Sequence, residues 1–216
     1  SSDRFTVEPE GIRFGLVAIK NIGRGFIQSV VREREQGGSF TSLQDFCDRL
    51  YDCGDMNKRA VENLIRSGAF DSMGARRSQL LAVYEKVLDG IGNVRRRNVE
   101  GQIDFFGMSA ANSTVETVVM PDIPEFTATE RMHMEKETTG LYLSGHPMVG
   151  YRAAARSSGA VTLNEILEDV SSEEGPTRFA DGMPVTVAGI VASSKTRPTK
   201  NGSLMAYAVS YTHLRA

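Results

Sequence analysis

The stretch LVAIKNIGRGFIQSVVRERE, residues 16–35, decides how the rest of the chain is read. It holds a short apolar run, Leu16–Lys20, then Ile22-Gly23-Arg24-Gly25, then a segment from Phe26 to about Glu35. In that segment Phe26 pairs with Val30 and Ile27 with Val31, four residues apart, the period of a helix with one apolar face. Gly37 and Gly38 stop it, because glycine is among the costliest residues inside a helix. The stretch therefore reads as two short helices joined by a G-x-G turn. Glycine on both sides of Arg24 lets a ligand come close to the backbone. A helix opening right after the turn points free N–H groups and the positive end of its dipole into it. With Lys20 and Arg24 alongside, the turn offers an anion site, and a backbone phosphate of DNA is the natural anion for it. A plain helical connection explains the same residues, and the local sequence leaves both readings open.

Moving outward, a second pair of helices follows the first. Ser42-Leu43-Gln44-Asp45 reads as an N-cap with an acidic residue at N3, and Leu43, Phe46, Cys47 and Leu50 then fall on one helical face. Asn57 can cap a helix that runs to about Ser67 with Val61, Leu64 and Ile65 inward, and Gly68 ends it at C′. The turn GAFDSMG, residues 68–74, leads into a longer helix, about Ala75 to Leu88, with Leu80, Leu81, Tyr84, Val87 and Leu88 as its apolar stripe. Two such units in tandem can pack as a pseudo-twofold pair with two phosphate grips. Lys58, Arg59, Arg66, Arg76 and Arg77 lie near the second turn; a solvated charged face is the other reading of these residues.

From Gly90 to Pro124 the period is lost and Gly, Asn, Ser, Thr and Pro accumulate, so this part reads as a linker. Inside it GQIDFFGM, residues 101–108, places Phe105 and Phe106 where no core element surrounds them. They either dock on a partner or fold back onto a nearby helix. Helices are expected again at Thr129–Thr139, near Val149–Arg156 and at Leu163–Glu168, with Pro147 marking a turn or helix start. His146, in SGHP, reads as a turn histidine bonded to backbone rather than a ligand. Beyond Asp181, MPVTVAGIVASS reads as a strand of about ten residues, TKNGS as a hairpin turn and LMAYAV as the return strand. The fold class is mainly α with a small β part.

Composition narrows the function classes. The net charge is −2, so the chain is no polycation, but the balance is uneven. Residues 1–100 carry 16 Lys and Arg against 14 Asp and Glu; residues 101–216 carry 9 against 13. A front half that leans basic permits nucleic-acid contact without demanding it. Cys47 and Cys53 match no zinc spacing and read as free thiols of a reducing compartment, and three scattered His residues suggest no metal site. No apolar run approaches the ~18 residues of a membrane span, and no signal peptide opens the chain. The opening SSDRFTVEPEG, without an initial Met, reads as the inside of a longer sequence.

The long blocks are more specific than any single motif. GIRFGLVAIKNIGRG, SLQDFCDRL and NKRAVENLIRSGAFDSMGARRSQLL resemble the helix-hairpin-helix region of the alpha subunits of bacterial DNA polymerase III, the C-family replicative polymerases. EKETTGLYLSGHPMVGYR resembles the segment joining that region to the family's OB domain, and DGMPVTVAGIVASSKTRPTKNGSLMAYAV resembles that domain's first strands. The resemblance reaches about Val209 and implies a division of the chain. Residues 1–10 would end the fingers region, 11–90 would be a tandem helix-hairpin-helix module, and 91–128 a flexible linker. Residues 129–178 would be a helical connector and 179–209 a truncated OB-fold, leaving 210–216 as a non-native tail.

The resemblance also implies roles. Lys20, Ile22, Gly23, Arg24, Gly25, Lys58, Arg59, Gly68, Arg76 and Arg77 would grip duplex DNA without reading its sequence. Lys195, Arg197 and Lys200, placed in the loop of the first OB hairpin, would meet single-stranded template. Gln102-Ile103-Asp104-Phe105-Phe106 resembles the family's motif for docking on the ring-shaped sliding clamp. It departs from the pattern in having Phe105 where Leu is usual and Asp104 where a small polar residue is usual, which changes the side chains offered to the pocket. The parent would be a bacterial cytoplasmic DNA-directed DNA polymerase using Mg2+ and working with other replicase subunits. The palm that carries its catalysis would precede this stretch, so no catalytic residue, metal or cofactor is assigned here, and the piece alone should not polymerise. A non-catalytic DNA-binding module of a repair or recombination factor is the alternative, and a purely structural helical adaptor is a third reading.

Overall fold

The computed structural model of the chain describes residues 2–9, 11–54, 56–99, 118–172 and 175–211. They form two compact units, residues 1–144 and 145–216. Among the described residues the chain is mainly helical, with two small antiparallel sheets of two strands each.

The first unit opens with a hairpin, β1 (Thr6–Glu8) and β2 (Gly11–Arg13), closed by an ion pair between Glu8 and Arg13. Its three-residue strands give too few alternations to be legible in the sequence. A single 3-10 turn, Leu16–Ala18, stands where a brief helix was expected. Helices α1 (Arg24–Gly37), α2 (Leu43–Leu50), α3 (Lys58–Arg66) and α4 (Arg77–Val99) follow.

Two of these helices start where local capping dictates. The Ser42 hydroxyl accepts from Asp45 N at 3.1 Å, and Asn57 Oδ1 accepts from Ala60 N at 2.9 Å. α3 ends in a Schellman turn: Ala69 N donates to Leu64 O and Gly68 N to Ile65 O, both at 3.0 Å, with Gly68 at φ +82°. The predicted apolar faces of α1, α2 and α3 enclose one core. Phe46 on α2 is its hub, meeting Phe26, Phe40 and Phe70 edge-on at ring distances of 6.3, 5.0 and 4.9 Å. In α4 the buried stripe includes Val83, while Leu81 and Tyr84 are only partly buried.

α4 is longer than its sequence suggested. It runs to Val99, through Gly90 and Gly92, so the residues from 90 onward that read as linker begin as helix. Ile91, fully buried, extends the stripe of Val87 and Leu88 by one turn and offsets the helix-breaking tendency of its neighbours. Gly92 has a packing reason: a Cβ there would sit 2.7 Å from the Tyr51 hydroxyl. The unit is completed by an extended segment from Val118 and by α5 (Ala128–Thr139), which opens with a full Thr127–Glu130 capping box.

The second unit holds a 3-10 turn (Pro147–Tyr151), α6 (Arg152–Ser157), α7 (Leu163–Val170) and the hairpin β3 (Ile190–Pro198) and β4 (Leu204–Tyr211). His146 caps the 3-10 turn, its Nδ1 accepting from Met148 N at 3.1 Å, as the turn reading expected. Asp169 folds the chain after α7 back on itself: its carboxylate accepts from Thr177 N, Thr177 Oγ1, Arg178 N and Phe179 N at 2.8–3.2 Å. The strand expected from Met183 begins only at Ile190; before it, Val187 makes one isolated parallel bridge with Val161. β-branched residues favour a strand only where a partner edge exists, and β4 supplies one from Ile190 to Pro198 alone. β4 reaches Tyr211, two residues into the segment expected to be a non-native tail.

Candidate nucleic-acid interface

The first turn is built by contacts that tie three elements together. Lys20 N donates to Thr138 O at the end of α5 (2.8 Å), and Lys20 O accepts from Asn63 Nδ2 on α3 (2.7 Å). The chain then bends at Asn21, the one non-glycine residue with positive φ (+60°) among those described. Asparagine tolerates this left-handed conformation better than most residues. The bend is thus taken at Asn21, not at a glycine; Gly23 is ordinary extended backbone at φ −69°, ψ 143°. Ile22 and Phe26 plug the turn into the core, while Gly23, Arg24 and Gly25 stay exposed.

Gly23 is the N-cap of α1, and no side chain caps that helix. Its first intrahelical bond is Ile27 N to Gly23 O, so the amides ahead of Ile27 have no partner within the helix. Arg24 and Gly25 are the first two residues of α1, not part of the connection that the sequence suggested. Among the described residues neither Lys20, Arg24 nor Arg59 makes an ion pair. Lys20 and Arg59 line one polar recess of about 290 Å³, together with Asn21, Asn63, Arg66, Glu62, Glu137 and Thr138.

The second turn, expected to offer the second phosphate grip, differs from the first. The amides that open α4 already hold an anion. Glu125 Oε2 accepts from Arg77 N (2.8 Å), and Oε1 from Ser78 N (3.1 Å) and Phe126 N (2.8 Å). Burial alone would raise the Glu125 carboxyl, yet these three backbone donors outweigh it and hold the group below the usual carboxylate range. Arg76, expected to face DNA, donates to Ile123 O (2.8 Å) and pairs with Asp122 (3.4 Å).

Arg77 is the clearest correction. Its guanidinium is turned inward with 4% of the side chain exposed, and it donates to both Asp71 oxygens (2.8 and 2.6 Å), to Glu135 Oε1 (2.9 Å) and to Arg66 O (3.3 Å). Glu135, also buried, accepts through Oε2 from Leu143 N, Ser144 N and Ser144 Oγ at 2.8–3.0 Å. Arg77 therefore cross-links α3, α4 and α5 and leaves nothing for a phosphate. Gly68 belongs to the same device, since a Cβ on it would run into Arg77 Nη2. Lys58 pairs with Asp89 (3.1 Å) and Glu85 (3.7 Å) on α4. Its hydrogen bond to Asp89 holds its ammonium above its ordinary value.

In the second unit Lys195 and Arg197 lie within β3, opposite Tyr207 and Met205, not in the hairpin loop; only Lys200 is in the turn. The peptide Gln102–Phe106 lies outside the described residues. Among the described residues no three His, Cys, Asp or Glu side chains are grouped to hold a metal, and no helix is long and apolar enough to cross a membrane. Asn21, Asn63, Glu125, Glu135 and Glu137 shape the site, and sequence reasoning passed over them. Asn63, Glu125, Glu135 and Glu137 meet partners tens of residues away, so no local spacing could have revealed them, and Asn21 is marked by its backbone conformation alone.

Residues 1–80 match the helix-hairpin-helix motif family. The chain is 34% identical over 213 residues to the DNA polymerase III subunit alpha of Deinococcus radiodurans, covering 95% of this chain and 15% of that protein. It is 35% identical over 202 residues to the Vibrio cholerae subunit, covering 93% and 16%. The Thermus aquaticus subunit is 35% identical over 202 residues, covering 94% and 15%. The chain thus spans about one sixth of the length of the curated relatives it matches. By sequence it belongs to the family of DNA polymerase III alpha subunits.

Proposed function

We propose that the chain is the duplex-holding part of a bacterial replicative DNA polymerase, and that it grips newly made DNA through the turn before α1. The observation that carries this reading is the uncapped N-terminus of α1 with Lys20, Arg24 and Arg59 free of ion pairs among the described residues. Free amides and unneutralised cations on one surface suit phosphate and carry no information about base sequence. The grip is asymmetric: Lys20, Ile22, Gly23, Arg24, Gly25 and Arg59 belong to it, while Lys58, Gly68, Arg76 and Arg77 support the fold.

The parent would join a primer 3′-hydroxyl to an incoming nucleotide with Mg2+, in the bacterial cytoplasm, alongside other replicase subunits. Gln102–Phe106 would fasten it to the sliding clamp, and the residues around β3 and β4, with Lys195, Arg197 and Lys200, would be the start of an OB domain that guides single-stranded template. The test is fluorescence anisotropy of a labelled random-sequence duplex against the 216-residue chain over a salt series. Affinity should fall steeply with salt, and Arg24→Ala with Arg59→Ala should lower the log–log slope by about 2. Absence of duplex binding in dilute buffer overturns the reading.

A further inference from the structure

The recess beside the first turn is more than a neighbour of the α1 amides. We infer that it is a phosphate site of its own, in which Arg66 trades an internal carboxylate for a DNA phosphate. This rests on the duplex-holding reading above and specifies a second contact within it.

Three basic residues line the recess from two elements: Lys20 from the first turn, and Arg59 and Arg66 from α3. Two carboxylates, Glu62 and Glu137, reach it as well, leaving the lining one positive charge in excess. At about 290 Å³ and with almost wholly polar walls, the recess suits a small hydrated anion. The bonds from the Lys20 backbone to Thr138 and Asn63 tie together the turn, α5 and α3 that line it.

The carboxylates divide by environment. Glu62 lies one helical turn from Arg66 on α3, paired at 3.4 Å, with its side chain 34% exposed. Glu137 is on a different helix, α5, pairs with the far nitrogen Arg66 Nη2, and is 64% exposed. An ion pair with a partner this exposed is weak and easily exchanged. A phosphate diester entering the recess can therefore take the Arg66 Nη2 donor while Glu137 turns to solvent. Arg59 and Lys20, which make no ion pair among the described residues, complete the cradle. Glu137 then acts as a resident competitor that sets how tightly the recess holds DNA.

The experiment repeats the duplex salt series with Glu137→Gln, Arg59→Ala and Arg66→Ala in the 216-residue chain, with thermal melts to establish folding. Glu137→Gln should bind duplex about two- to fivefold tighter at low salt. Arg59→Ala and Arg66→Ala should each weaken binding and lower the salt slope by about 1. A parallel NMR titration with inorganic phosphate should shift the Asn63 side-chain amide and the Asn21 amide. If wild type binds duplex but Glu137→Gln binds no tighter and Arg66→Ala keeps the wild-type slope, the exchange is wrong while the first-turn grip stands. If inorganic phosphate moves these signals but all three variants hold duplex like wild type, the recess takes free phosphate and not DNA, which also overturns the proposal. If wild type binds no duplex, the underlying reading fails with it.

Discussion

Replacing Arg77 with alanine should damage stability and leave no separate defect in DNA contact. The substitution removes four donors at once, two to Asp71, one to Glu135 and one to Arg66 O. Asp71 is partly exposed and can turn to water, but the Glu135 side chain is only 1% exposed and stays buried as a charge. Stranding one partner of a buried pair costs about 3–5 kcal/mol. Because Glu135 keeps its bonds from Leu143 and Ser144, the lower end, about 3 kcal/mol, is expected. That is a large share of the stability of an ordinary domain.

Urea denaturation of wild type and variant at neutral pH, followed by far-UV circular dichroism, measures the effect; the midpoint should fall with the slope nearly unchanged. A pH series sharpens the test. In wild type, burial alone would raise the Glu135 carboxyl, but hydrogen bonds from Ser144, Arg77 and Leu143 outweigh it and hold the group below its usual range. A depressed folded value contributes stability above the unfolded pKa and loses it as pH falls through the folded one. Without Arg77 the burial effect gains ground, so acid neutralises the stranded charge in the variant. The penalty should therefore be greatest near neutral pH and shrink on acidification below the ordinary carboxylate range. A loss under about 1 kcal/mol at neutral pH, or a penalty that grows in acid, refutes the reasoning. Weakened duplex binding with unchanged stability would instead return Arg77 to the DNA surface.

Two further outcomes follow from the same geometry. Gly68→Ala forces a side chain into φ +82° and against Arg77 Nη2, so it should destabilise by at least about 1–2 kcal/mol. Combined with Arg77→Ala its cost should be less than additive, and strict additivity in denaturant melts would show the two residues to be uncoupled. Burial, with a smaller contribution from the Asp48 charge, pushes the Cys47 thiol up to about 12, whereas Cys53 is partly exposed. Alkylation near pH 8 should label Cys53 well before Cys47, which should react only on unfolding; equal rates in the folded protein would contradict the packing of α2.

Most of the helices were legible because their signals are local. Ser42 caps an amide three residues on, Asn57 does the same, and Phe26, Ile27 and Val30 share a face by their spacing alone. Where local signals mislead, packing is the cause. α4 continues past Gly90 because Ile91 is buried and Gly92 clears Tyr51. β3 starts seven residues late because a strand needs an edge to pair with. Gly23 and Gly25 mark the turn before α1, yet the bend itself falls on Asn21, a position no motif marks.

The candidate site divides along the same line. From the order of residues alone came the apolar faces of α1, α2 and α3, the turn before α1, the basic residues around it and the kinship of the chain. Which of those basic residues remain available to a ligand was decided only by the folded arrangement. Arg77 meets Glu135 across 58 positions, Arg66 meets Glu137 across 71, and Glu125 reaches the start of α4 across 48. The attraction between charges depends on their separation in space and on the water left between them, and neither is written in the spacing of letters along a chain.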